Sequence, residues 1–201
     1  MRLVVATRNP HKLAELEQIV GEDEARLVPL DEGVQLPPET GETFAENALI
    51  KARAAHEHSG RPAIADDSGI EAAALGGRPG VRSARFAGEG ASDEQNLALL
   101  MRELESADDR RVAYACVIAL IDADGAEHLF EGRCEGMLAH EPRGSGGFGY
   151  DPAFVPDDTG PEDSRTMAEL SPAEKHAISH RGRAARALAR YLTGRREAQR
   201  R

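Results

Sequence analysis

Short apolar runs alternate with longer amphipathic ones along the chain, and the first alternation is the clearest. Residues 2–6 (RLVVA) form a β-branched run that fits a buried strand. The period then changes: in TRNPHKLAELEQIV, Leu13, Leu16, Ile19 and Val20 recur at helical spacing. Asn9 suits the N-cap of that helix and Pro10 its first position. Residues 25–30 (ARLVPL) read as a second strand. Thr43-Phe44-Ala45-Glu46 has the form of a capping box opening a helix to about His58. Residues 63–67 (AIADD) read as a third strand that stops at Asp66 and Asp67. Ser92-Asp93-Glu94-Gln95 opens a helix with Leu97, Leu100, Met101 and Leu104 on one face. RVAYACVIALID and EHLFEGRCEGML, joined through ADG, predict a long antiparallel hairpin. Ser171-Pro172-Ala173-Glu174 caps a short helix, and a final helix runs from 181 to 192. A glycine-rich loop fills 76–92, a second over 141–156 runs into a short strand, and 157–166 reads as a mobile surface loop. The pattern is α/β: a mixed central sheet with flanking helices, in two lobes around a ligand-binding cleft. No repeat or linker separates independent domains, so 1–201 reads as one domain with a frayed basic tail at 194–201.

Composition narrows the class. The chain has 201 residues, 40% hydrophobic and 30% charged, enough to bury a proper core and too apolar for disorder. No apolar stretch reaches the ~20 residues of a membrane span. The first twelve residues lack the apolar core of a signal peptide, so the expected location is the cytoplasm. Cys116 and Cys134 sit in apolar runs without metal-type spacing and read as buried thiols. A formal net charge of -10 argues against a nucleic-acid partner. No G-x-x-x-x-G-K-[ST] phosphate loop is present, which argues against the common kinase and GTPase architecture.

The candidate chemistry lies in five segments. Of 25 basic residues only three are lysines: Lys12, Lys51 and Lys175. Lys12 falls in the first turn of a helix, where the backbone dipole disfavours a cation unless an anion docks there. Asp66 and Asp67 end an apolar strand, which suits either a solvated turn or a cation site. Asp67 with Glu39 offers the hard oxygens that Mg²⁺ takes beside substrate phosphates and water. The loop GSGGFGYDP allows close backbone approach to a ligand and supplies Phe148 and Tyr150 for stacking. His180 and Arg181 place donors in a row near a helix start. His56 and His58, two apart in a helix, do not share a face and read as surface residues.

Taken in order, ATRNPHKLAEL, ETGETFAENALIKA, ADDSGIEAAALGGRPGVRSARFAG, PRGSGGFGYDPAF and AELSPAEKHAISHRGRA closely resemble the inosine triphosphate pyrophosphatase family. The likeness spans residues 3–192 and takes in all three lysines. It implies Mg²⁺-dependent hydrolysis of the non-standard purine nucleotides ITP, dITP and XTP to the monophosphate and pyrophosphate, and a homodimer. By match, Thr7, Arg8, Asn9, Pro10, His11 and Lys12 bind the phosphates. Glu39 is the metal-ligand glutamate, Asp67 the catalytic acid/base and metal residue, and Ser68 a substrate contact. Phe148, Gly149, Tyr150 and Asp151 match the base-binding run, completed by Lys175, His180 and Arg181. Departures are Arg8 where glycine is frequent, GRCEG at 132–136 where Trp-Pro is common, and a longer 157–165. The alternatives are a Maf-like pyrophosphatase acting on other modified nucleotides, against which SHR and FGYD count, and a non-catalytic nucleotide sensor. A sensor need not keep Glu39 and Asp67 together.

Overall fold

In the computed structural model, which describes residues 1–21, 25–31 and 33–198 apart from the His11 side chain, six strands form one sheet in the order β2-β1-β3-β4-β5-β6. β1 (Arg2–Val5) lies parallel to both β2 (Arg26–Pro29) and β3 (Ala63–Ala72). β4 (Arg111–Ile121) and β5 (Glu127–Leu138) are the arms of the predicted hairpin, and β6 (Phe154–Pro156) pairs antiparallel with β5. The helices are α1 (Pro10–Val20), α2 (Phe44–Ser59), α3 (Asp93–Glu103), α4 (Pro172–Ile178) and α5 (His180–Ala198). The mixed α/β sheet with flanking helices is the architecture expected from the sequence.

The chain divides into two compact units. The first comprises 1–67, 116–132 and 181–201; the second comprises 68–115 and 133–180. In the first, Leu3, Val5, Leu16, Ile64, Ile118, Leu120 and Leu188 form a buried cluster joining β1, β3, β4, α1 and α5. A second cluster packs Ala48, Ala52 and Ala55 of α2 against Val4, Ala63, Ala65 and Ile121. Alanines at that contact let the helix backbone approach the strands, and two larger polar residues stand on the same stretch of helix: Asn47 and Lys51, one turn apart and both buried. In the second unit, Ile70, Leu100, Leu104, Tyr114, Phe154 and Met167 make the core.

Local chemistry sets the ends of the elements. Thr43 and Glu46 make both halves of the capping box at α2, which closes on Gly60 in a left-handed conformation. Ser92 with Gln95 and Ser171 with Glu174 do the same for α3 and α4. Asn9 caps α1, its Oδ1 accepting the Lys12 N–H at 3.3 Å.

Three boundaries differ from expectation. β3 does not end at the acidic pair; it runs on to Ala72, with Asp66, Asp67, Gly69, Ile70 and Ala72 all buried. The carboxylates are tolerated inside the strand because cations meet them, as described below. α5 continues through Ala198, so 194–198 of the basic tail are helical rather than frayed; 199–201 lie outside the described residues. Finally, 3-10 turns at Gly80–Arg85 and Asp157–Thr159 interrupt segments read as loops. Cys116 and Cys134 are free and buried, and no described helix is long and apolar enough to cross a membrane.

Candidate functional site

The first unit gathers seven charged side chains around β3. Asp66 is 2% exposed, and its Oδ2 is met by Lys12 Nζ at 3.0 Å and by Arg181 Nε and Nη2, each at 3.2 Å. Arg181 turns its Nη1 to Glu15 Oε2 at 2.7 Å, so one guanidinium ties α5 to both β3 and α1. Burial alone would push the Asp66 carboxyl up; the charges of Lys12, then Arg181 and Lys51, outweigh it and hold the group well below the usual carboxylate range.

Asp67 has a different environment. Its Oδ1 accepts from Lys51 Nζ at 3.2 Å and its Oδ2 from Asn47 Nδ2 at 3.2 Å. The same Lys51 Nζ lies 2.6 Å from Glu39 Oε1. Burial raises the Asp67 carboxyl above its ordinary value; Lys51 opposes this and Glu39 adds to it. Lys51 loses charge stability to burial, yet Asp67, Asp66 and Glu39 together leave its ammonium raised. Asn47 fixes the frame. Its Oδ1 accepts from the Gly41 N–H at 2.8 Å, and a Cβ on Gly41 would stand 2.6 Å from Glu46 Cβ.

These donors fit a magnesium ion. Two carboxylates, Glu39 and Asp67, each bring an oxygen within hydrogen-bond distance of one ammonium, that of Lys51. No group of three or more His, Cys, Asp or Glu suited to a metal occurs among the described residues. Mg²⁺ takes a carboxylate or two and fills its octahedron with water and phosphate oxygens.

At the start of α1, the Asn9 N–H donates to Thr7 Oγ1 at 3.2 Å, and Arg8 Nη2 donates to the Val34 carbonyl. Pro10 occupies the first helical position and is exposed. The expected role of the His11 side chain lies outside the described residues.

The second unit gathers the other candidates around one buried carboxylate, Asp151, 4% exposed. Its Oδ2 accepts from Lys175 Nζ at 2.8 Å and from the Phe148 N–H at 3.0 Å; its Oδ1 accepts from the Tyr114 hydroxyl at 3.1 Å. Lys175 Nζ also sits 5.1 Å from the Phe148 ring centroid. Gly147 has φ +73°, and a Cβ there would fall 2.0 Å from Asp151 Oδ2, so the turn closes on the carboxylate only with glycine. The Gly149 N–H donates to Asp93 at 2.8 Å, and the Tyr150 hydroxyl to the Ser83 carbonyl at 2.8 Å. His180, 7% exposed, stacks on Tyr114 with centroids 4.6 Å apart. Ser68 is half-buried in β3.

Thus Lys12, Glu39, Asp67 and Arg181 come together in the first unit, and Phe148, Gly149, Tyr150, Asp151, Lys175 and His180 in the second. Sequence reasoning did not place Asn47, Lys51, Glu15 or Tyr114 among the site residues. Lys51 carried a signal as one of three lysines, and Asn47 stands four residues before it on α2. Tyr114 sits inside the apolar run of β4 and gave none.

The Ham1 family model matches residues 3–191. A dITP/XTP pyrophosphatase from Mycolicibacterium paratuberculosis is 51% identical, covering 92% of this chain and 93% of that protein. A dITP/XTP pyrophosphatase from Corynebacterium diphtheriae is 46% identical, covering 96% and 98%. The solved structure of a HAM1 protein from Coxiella burnetii superposes with a TM-score of 0.88 at 45% identity, covering 96% of this chain and 99% of that one.

Proposed function

Because the chain belongs to the Ham1 family, we propose that it hydrolyses the non-standard purine nucleoside triphosphates dITP, XTP and ITP to the monophosphate and pyrophosphate. The observation that carries the residue assignment is the pairing of Glu39 and Asp67 on one cationic centre, framed by Asn47.

Each step is assigned to residues of this chain. Lys12, with Thr7, Arg8, Asn9 and the turn at Pro10 and His11 that opens α1, receives phosphate oxygens; when Lys12 leaves Asp66 for them, Arg181 stays on Asp66. Glu39 and Asp67 would hold Mg²⁺, which when bound offsets charge on the phosphates and the departing pyrophosphate. Asp67, its carboxyl raised by burial, takes the proton of the attacking water. The water oxygen bonds to the α-phosphorus, and the α–β bridging bond breaks to release pyrophosphate.

In the second unit, Phe148 and Tyr150 offer aromatic faces, with Gly149, Asp151 and Lys175 shaping the loop, while Ser68 serves as a further substrate contact. His180 offers its ring to the base, while Arg181, next in the chain, is braced by Asp66 and Glu15 in the first unit. Hypoxanthine and xanthine present an acceptor oxygen at C6, and adenine an amino donor. Facing donor to donor leaves buried groups unpaired, at about 1–3 kcal/mol each. A homodimer in the cytoplasm completes the reading, supported by Leu129 and Met137, 43% and 42% exposed on β5, and by two free thiols.

Hydrolysis of dITP in ¹⁸O-water tests the point of attack. The label is expected in the monophosphate; label in the pyrophosphate would overturn the assignment.

A further inference from the structure

Lys51 bonds both carboxylates of the proposed metal pair. It reaches them from α2, where its stem is buried beside Ala48, Ala52 and Ala55 and its ammonium lies 2.6 Å from Glu39 and 3.2 Å from Asp67. The other cations nearby face elsewhere: Lys12 and Arg181 both meet Asp66. Asp67 is further held by Asn47, which the Gly41 N–H fixes in turn. A rigid frame thus presents two carboxylates, and a long flexible side chain supplies the charge that keeps them together.

We infer that Lys51 is a resident counter-ion in the place a divalent cation would take, so that metal alone competes with the lysine and binds well only together with the nucleotide. The inference rests on Glu39 and Asp67 being the metal pair. Its logic is electrostatic. A divalent ion arriving by itself meets two carboxylates already bonded to an ammonium, and must either displace that ammonium into a buried site where the nearby Asp66 is already shared by Lys12 and Arg181, or sit against it. Both are unfavourable. A triphosphate changes the balance, because its oxygens give the ammonium a new partner of the same sign as the carboxylates it leaves. Metal and nucleotide then favour each other's binding, and the coupling is reciprocal. Lys51 would serve twice: as the charge that holds the empty pair together, and as a phosphate contact once the pair is taken.

The test is direct binding of Mn²⁺, read by its electron paramagnetic resonance signal, to the intact protein without nucleotide. Lys51→Met keeps the stem and removes the charge; it is expected to bind Mn²⁺ about tenfold or more tightly than wild type. Lys51→Arg keeps the charge and is expected to stay as weak as wild type. If Lys51→Met does not fold, Lys51→Gln takes its place with the same expectation. Equal affinity, or none, in wild type and the neutral variant overturns the inference. Adding Glu39→Gln to the neutral variant separates this from the underlying reading: Mn²⁺ binding that survives the double substitution means the pair is not the metal site. Binding lost in the double but never gained in the single removes only the role of Lys51.

Discussion

Asp66 and Asp67 are neighbours in sequence and are shifted in opposite directions by their surroundings. Asp66 is shared by two cations and kept ionised; Asp67 is buried with half of one and raised. In the proposed mechanism this division gives the bracing to Asp66 and the proton transfer to Asp67. It also sets what a substitution at Arg181 reports. Arg181→Ala would leave Asp66 buried with Lys12 as its direct ion-pair partner and Glu15 without its guanidinium, so the expected result is a loss of about 3–5 kcal/mol in stability, measured by urea unfolding. Arg181→Lys, keeping one charge, should recover part of it. An unchanged stability for Arg181→Ala would mean the bridge contributes little. Cys116 gives a test of burial at the same scale. Apolar surroundings, with Asp66 adding repulsion, push its thiol up to about 12. Its folded value lies above the ordinary ~8.5, so its contribution is full below that value and is lost as pH rises toward 12. Wild type should therefore lose stability above pH ~8.5 in a part that Cys116→Ala lacks, and the folded thiol should resist labelling there. Much of the site was legible residue by residue, since polar groups flanking apolar runs stand out. The partners were not: nothing in the order of residues says that Lys51 meets Glu39 and Asp67, or that Tyr114 reaches Asp151 across 37 positions.

The elements show where reading by pattern succeeds and where it stops. Capping boxes were legible because their chemistry is local: a hydroxyl and a carboxylate or amide three residues apart satisfy each other's backbone. β3 was cut short because two charges look like solvent, while in the fold the strand carries them through the core on paired cations. Its continuation depends on Gly69, where a Cβ would stand 2.4 Å from Ser83 Oγ and 2.5 Å from the Gly80 carbonyl oxygen. Ser83 Oγ also accepts the Ile70 N–H at 2.9 Å. Gly69→Ala is therefore expected to destabilise by about 1–3 kcal/mol, checked by thermal unfolding. The loop before Asp151 behaves similarly. Gly147→Ala strains a positive φ and pushes on the carboxylate. The proposed base-binding role predicts a raised KM for dITP with kcat less affected. A fall in kcat with unchanged KM would place that loop in the chemistry instead.

For the whole molecule, the sequence order conceals how the work is divided. Each compact unit is assembled from separated segments, and β3, β4 and β5 each run from one into the other. The groups assigned to phosphate and cation fall in the first unit, and those assigned to the base, apart from Arg181, in the second. An overall charge of -10 repels polyanions at long range, so on the proposed reading local cations such as Lys12 and a divalent ion offset that field for the triphosphate. The central claim is that Glu39 and Asp67 carry pyrophosphate release from non-standard purine nucleotides. Its most direct test is pyrophosphate release from dITP, XTP, ITP, GTP and ATP with Mg²⁺, in wild type beside Asp67→Asn, with folding of the variant checked by circular dichroism. The account predicts fast release from the first three, slow release from GTP and ATP, and loss of all of it in a folded Asp67→Asn. Equal rates across the five nucleotides, or a folded variant as active as wild type, would contradict it.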